Sequence, residues 1–120
     1  MPLQIKRIYE AVLPQDGTRI LIDRLWPRGV SKERASLKEW FKDIAPSTTL
    51  RKSFSHKEEY FEKFSQDYLY ELQNIPQKQK LCQQLLRWSK EGMVTLLYAA
   101  KSPTINHAVV LLYFLQNTPN

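Results

Sequence analysis

The sequence predicts a single α/β domain with a small, mostly parallel sheet flanked by helices. Two observations carry that expectation. The runs Arg19–Leu25 and Met93–Ala100 are apolar enough to be strands buried on both faces. The stretches between them have helical periodicity and supply the crossover that parallel neighbours require. A chain of 120 residues suits one domain, for which about 100–150 residues is usual, and it contains no repeat, linker or low-complexity tract.

The elements follow in order. Leu3 to Tyr9 alternates partially and reads as a first strand. Asp16-Gly17 signals a turn, so Arg19–Leu25 could return as its neighbour, although Pro14 argues against a tight hairpin. Pro27 and Gly29 stop that second strand near Trp26. Ser36-Leu37-Lys38-Glu39 has capping-box spacing, and Leu37, Trp40, Phe41 and Ile44 then recur at helical intervals, closed before Pro46. Ser47 can cap a brief turn carrying Arg51 and Phe54. A second capping box, Ser55-His56-Lys57-Glu58, opens a helix with the stripe Phe61, Phe64, Tyr68 and Leu72. After Pro76 a third helix presents Leu81, Leu85 and Trp88, with Gly92 as terminator. Ile105, Ala108, Val109, Leu112 and Leu115 form a last helix, capped by Ser102 or Thr104.

Composition narrows the function classes. With 42% hydrophobic and 25% charged residues the chain is globular rather than disordered. Its three Trp, six Tyr and five Phe can build a core without covalent staples. The single cysteine, Cys82, excludes an internal disulfide and a Cys-rich zinc site, and suits a reducing compartment. The start, Met1 to Arg7, has no apolar signal-peptide core. No window approaches the roughly 18 apolar residues of a membrane span. A cytoplasmic protein without a membrane partner is expected. The net charge of +6 is uneven: residues 1–52 hold 11 Lys and Arg against 6 Asp and Glu. That excess is either a field that concentrates anions or a solvated basic surface.

The site follows from placing the two buried strands side by side. Their carboxyl ends then share one edge, where open α/β sheets bind ligands. That edge gathers Asp23, Arg24, Trp26 and Arg28 from one strand, and Tyr98 and Lys101 from the other. Asn106 and His107 lie in the first turn of the last helix, whose dipole attracts anions, and His56 is a further candidate. Each has a plainer alternative. Arg24 can pair with Asp23 or Asp43, Trp26 and Tyr98 can be core rings, and Arg28 and His56 can be solvated surface. His107 can be a satisfied, partly buried histidine. Lys101 follows so apolar a strand that a role is the better reading. Asp23 and His107 are the catalytic candidates, as a base and its orienter, yet no activated nucleophile accompanies them. Cys82 falls mid-helix and reads as packing. No metal-ligand spacing occurs, and three glycines leave no phosphate-cradling loop, so neither a metal nor a cofactor is expected.

These residues carry a resemblance. Lys6-Arg7-Ile8-Tyr9, Asp16-Gly17-Thr18-Arg19 and Asp23-Arg24-Leu25-Trp26-Pro27-Arg28-Gly29 belong to it. So do Ala45-Pro46-Ser47, Leu50-Arg51, Phe54-Ser55-His56, Thr95 to Lys101 and Asn106-His107-Ala108. Over nearly its whole length the chain resembles the YeaO-like family of small bacterial proteins, a domain of unknown function. The resemblance implies a compact, Rossmann-like α/β fold and no established activity. Broader relatives place Cys-His-Arg where this chain has Asn106-His107-Ala108, which puts thiol-based chemistry in doubt here.

Three functions are therefore in play. The leading one is binding, and with it hydrolysis or transfer, of an anionic, phosphate-bearing small ligand at the strand-end edge. The second is nucleic-acid binding through the basic first half, with Trp26 stacking on bases. The third is a non-catalytic interaction or regulatory module, which would have a small or filled strand-end pocket and an exposed apolar patch.

Overall fold

A computed structural model describes residues 2–118. Strands β1 (Leu3–Arg7), β2 (Thr18–Leu21), β3 (Glu39–Trp40) and β4 (Val94–Tyr98) form one sheet in the order β1-β4-β2-β3. All three pairings are parallel. The two apolar runs are adjacent as expected, with Thr18 opposite Val94 and Leu21 opposite Leu97. β4 is central and buried along its length, as its uninterrupted apolar run requires.

The first two strands are not neighbours, because β4 lies between them. A parallel sheet cannot be made by a short return, so the turn at Asp16-Gly17 only redirects the chain. It is a single 3-10 turn, Pro14–Asp16, followed by Gly17 at φ +61°. A β-carbon on Gly17 would run into the Met93 carbonyl oxygen. Gly17→Ala is therefore expected to cost more than about 1 kcal/mol, combining a left-handed backbone with a clash, as thermal unfolding would show.

Asp16 anchors this corner. It is 2% exposed and accepts hydrogen bonds from Lys6 Nζ at 2.9 Å and Arg19 Nη1 at 2.5 Å. Arg19, 4% exposed, also donates to the Ala35 carbonyl. Burial alone would raise the Asp16 pKa, but the bonds from Lys6, the Leu13 amide and Arg19 hold it below its ordinary value.

β2 ends at Leu21, short of Trp26. Ile22 still donates to the Leu97 carbonyl, but at the next step the Asp23 carboxylate itself accepts from the Ala99 amide at 3.0 Å. A side chain thus replaces the ladder and frees the chain to leave the sheet.

The helix expected over Leu37–Ile44 does not form. A one-turn helix, α1 (Lys32–Ala35), is capped by Ser31 and closed by Ser36 at φ +49°. The chain then pairs with the open edge of β2, where Lys38 donates to Arg19 and Phe41 to Leu21. Satisfying that edge outweighs local helical periodicity. Trp40 and Phe41 consequently pack on opposite faces of the sheet.

α2 (Thr48–Phe54) is capped by Ser47 as anticipated. The second capping box does not form: Ser55 and His56 both take left-handed backbone, at φ +49° and +57°. α3 (Phe61–Asn74) starts only after a 3-10 turn at Glu58–Tyr60, yet it buries the expected Phe64, Tyr68 and Leu72. α4 (Pro76–Ser89) has proline in its first turn and closes at Lys90, ahead of Gly92. α5 (His107–Gln116) is capped by Asn106, not by Ser102 or Thr104. Ser102 instead accepts from the Thr104 and Ile105 amides and shapes the preceding loop. The buried face of α5 is Ala108, Val110, Leu111 and Leu115, because a helix apolar nearly all round gives periodicity little to discriminate.

The sheet has a core on each side. Ile20, Ile22 and Leu96 pack with Tyr68, Leu72, Leu85 and Leu111 from the long helices. Leu21 and Leu97 pack on the other side with Ile8, Val30 and Ala35. The chain leaving β2 therefore covers one face and α5, leaving β4, covers the opposite face. Adjacent strands that diverge in this way open a crevice at their carboxyl ends. Among the described residues, no helix is long and apolar enough to cross a membrane.

Candidate functional site

The crevice holds a cavity of about 840 Å³, walled by the segments after β2 and β4, by α2 with the turn that follows it, and by Tyr9 after β1. Asp23, Arg24, Trp26, Arg28, Lys101, His107 and His56 all line it. Tyr98 and Asn106 do not. Tyr98 is 4% exposed and packs into the core. Asn106 accepts from the Val109 amide at 3.0 Å and donates to the Ser102 carbonyl at 2.7 Å, so its polar atoms close the α5 terminus.

The structure adds Arg51 and Lys52 from α2, together with Tyr9 and Ser102. The first two stood out in the sequence as part of the basic excess, but local pattern could not aim them. Their position depends on α2 packing against α3 beside the strand ends.

The individual residues divide by how firmly they are held. Trp26 donates to the Val30 carbonyl at 2.6 Å and meets Trp40 edge-on at 5.4 Å, so it is both packed and part of the wall. Trp40 in turn donates to the Asp23 carbonyl at 2.7 Å, tying the cavity segment to β3. Arg24 stands 3.5 Å from Asp43, while its Nε is buried with no hydrogen-bond partner among the described residues. Arg28, Lys52 and Lys101 are exposed at the rim. The carbonyl of Arg28 is pinned by the Tyr9 hydroxyl at 2.9 Å. His56 is also exposed, its ring 5.5 Å from that of Phe54.

Asp23 and His107 form the floor. His107 Nε2 is 3.0 Å from the Ile22 carbonyl oxygen and 3.3 Å from Asp23 Oδ1. Burial pushes the Asp23 carboxyl above its ordinary pKa and the His107 ring below its own, while their mutual attraction opposes both shifts. Burial thus disfavours charge on both groups, and the His107 imidazole, titrating below its ordinary value, is uncharged at neutral pH. Among the described residues that line the cavity there is no cysteine. Cys82 lies in the core on α4, where burial pushes its thiol to about 12. Among the described residues, no group of three or more His, Cys, Asp or Glu could hold a metal ion.

Comparison with known proteins finds a match, over residues 2–119, to the family model described as the inactive DUF488-N3 subclade. The chain is 44% identical to the uncharacterized protein YeaO of Escherichia coli (strain K12) over 117 residues, which is 98% of this chain and 99% of the relative. It is 34% identical to an uncharacterized protein of Mycobacterium bovis over 113 residues, 94% of this chain and 92% of the relative. No solved structure gives a significant match.

Proposed function

The chain belongs to the family described as the inactive DUF488-N3 subclade, and from that premise we propose that the strand-end cavity binds rather than transforms its ligand, an anionic, phosphate-bearing small molecule. The observation that carries this reading is the charge of the wall. Arg24, Arg28, Arg51, Lys52 and Lys101 surround one concavity in which Asp23 is, among the described residues, the one acidic side chain. Asp23 Oδ2 accepts from the Ala99 amide, and Oδ1 lies 3.3 Å from His107 Nε2. A concave cluster of one sign focuses the field on a small anion. The volume, about 840 Å³, lies within the roughly 300–1,000 Å³ usual for small-molecule sites. Phe54, Phe64 and Ile105 add apolar wall for the rest of such a molecule.

An open cavity of this size argues against the interaction-module reading, which calls for a small or filled pocket. It also favours a small ligand over a nucleic-acid strand. Calorimetric titration with pyrophosphate is the test, at about 50 mM and about 300 mM salt. Binding that weakens as salt rises is expected. No heat of binding at low salt, in protein shown to be folded, would sink the proposal. Salt-sensitive retention of a single-stranded oligonucleotide in place of pyrophosphate would instead favour nucleic-acid binding.

A further inference from the structure

We propose that His107 makes the cavity selective for oxyanions that carry a proton, hydrogen phosphate before sulfate. This rests on the anion-binding reading above and goes further, to what the site distinguishes.

The tautomer of His107 follows from its partners. The Ile22 carbonyl oxygen, 3.0 Å from Nε2, can only accept a hydrogen bond, so Nε2 bears the proton. Asp23 Oδ1 lies 3.3 Å from the same nitrogen without accepting a hydrogen bond from it, and Asp23 is itself fixed through Oδ2 by the Ala99 amide. The ring is therefore oriented by the Ile22 carbonyl, with the Asp23 carboxyl alongside. A neutral imidazole with its proton on Nε2 leaves a bare lone pair on Nδ1. No hydrogen bond reaches Nδ1 from the described residues, and the ring lines the cavity. The titratable groups facing the ring are Asp23 from the segment after β2, with Arg51 and His56 from α2 and its following turn. The Tyr68 ring on α3 packs edge-on at 6.2 Å. Burial keeps the imidazole neutral against the pull of Asp23.

The cationic side chains of the wall are donors only. They suit any oxyanion equally. The lone pair on Nδ1 does not. Sulfate at neutral pH carries no proton and would set an oxygen lone pair against a nitrogen lone pair. Hydrogen phosphate can turn its P–OH toward Nδ1 and keep its bare oxygens for the arginines and lysines. Discrimination of this kind comes from the pairing that the wrong ligand cannot make.

The test is calorimetric titration of the intact protein with inorganic phosphate and with sulfate, at pH 7 and matched ionic strength. Phosphate is expected to bind at least about tenfold more tightly. In His107→Gln, which keeps a donor for Ile22, and in His107→Leu, the preference is expected to fall to within about twofold. A long-range ¹H–¹⁵N spectrum of the unmutated protein supplies a readout that needs no variant: the His107 Nδ1 resonance should move with phosphate and not with sulfate. Equal affinity for the two anions, or a still Nδ1 resonance, would overturn the selection and leave the anion site standing. A preference that survives in both folded variants would also overturn it. Failure of both anions to bind would remove the anion-binding reading itself.

Discussion

Replacing Asp16 with alanine is expected to lower the stability of the folded chain by about 3–5 kcal/mol, the usual cost of removing one member of a buried ion pair. Folded domains are stable by only about 5–15 kcal/mol, so this variant should show a large fall in its urea midpoint. The size of the effect comes from what stays behind. Arg19, 4% exposed, would retain the Ala35 carbonyl but lose the counter-charge of Asp16. Lys6, beside the same carboxylate, would lose its partner too. Asp16→Asn should fall between, since an amide oxygen still accepts one bond but carries no charge. The same contacts set a pH dependence. Because Asp16 titrates lower in the folded chain than its ordinary 3.8, its contribution is present in full above that value. It is lost as the pH falls from about 4 toward the depressed folded value. Acid unfolding should therefore sharpen below about pH 4, and the slope should be shallower in Asp16→Asn. A variant as stable as the parent would show that the corner is held by packing alone.

Arg24→Ala should behave in the opposite way, losing ligand while keeping the fold. Among the described residues its one ion pair is a 3.5 Å contact to an Asp43 side chain that is 47% exposed, and such pairs contribute at most about 1 kcal/mol. Truncation also removes a buried Nε that has no partner. Phosphate affinity, by contrast, should fall about 10- to 100-fold, the loss of a charge-assisted, two-pronged contact. Arg24→Lys should recover only part of it, because an ammonium lacks the planar fork. Paired thermal melts and phosphate titrations decide the matter. A large drop in melting temperature with unchanged affinity would make Arg24 a structural residue.

The candidate site was legible in the sequence wherever a residue's place depends on the strand it follows. Arg24, Trp26, Arg28 and Lys101 sit just beyond apolar runs, so knowing the run locates the side chain. Tyr98 follows from the same logic and Asn106 from its place in the first turn of the last helix, yet both stand off the cavity, because core packing claims the Tyr98 ring and helix capping the Asn106 amide. Arg51 and Lys52 could not be aimed from pattern. They reach the site from α2, and nothing local in Thr48–Phe54 says which strand ends it overlies.

The fold divides along the same line. β4 and the buried stripe of α3 follow from period and composition alone, since an apolar run or stripe has few places to go except the core. The stretch Leu37–Ile44 shows the reverse. Its helical spacing is real, but β2 presents an edge of unpaired backbone groups, and closing that edge with β3 satisfies what a surface helix would leave open. The left-handed residues Ser55 and His56 are likewise a tertiary decision, turning the chain so that α2 and α3 can both face the sheet.

By itself, then, the sequence determined the class of fold, the two inner strands and the edge at which their carboxyl ends lie together, because burial of apolar runs is a local property summed along the chain. Only the tertiary structure decided that β4 lies between β1 and β2. It alone decided that Asp16 and Arg19 neutralise one another in a buried corner, and that His107 turns Nε2 toward Ile22. Those outcomes depend on partners 3 to 91 residues apart, and hydrogen bonds and ion pairs are chosen by proximity in space, which no local pattern specifies.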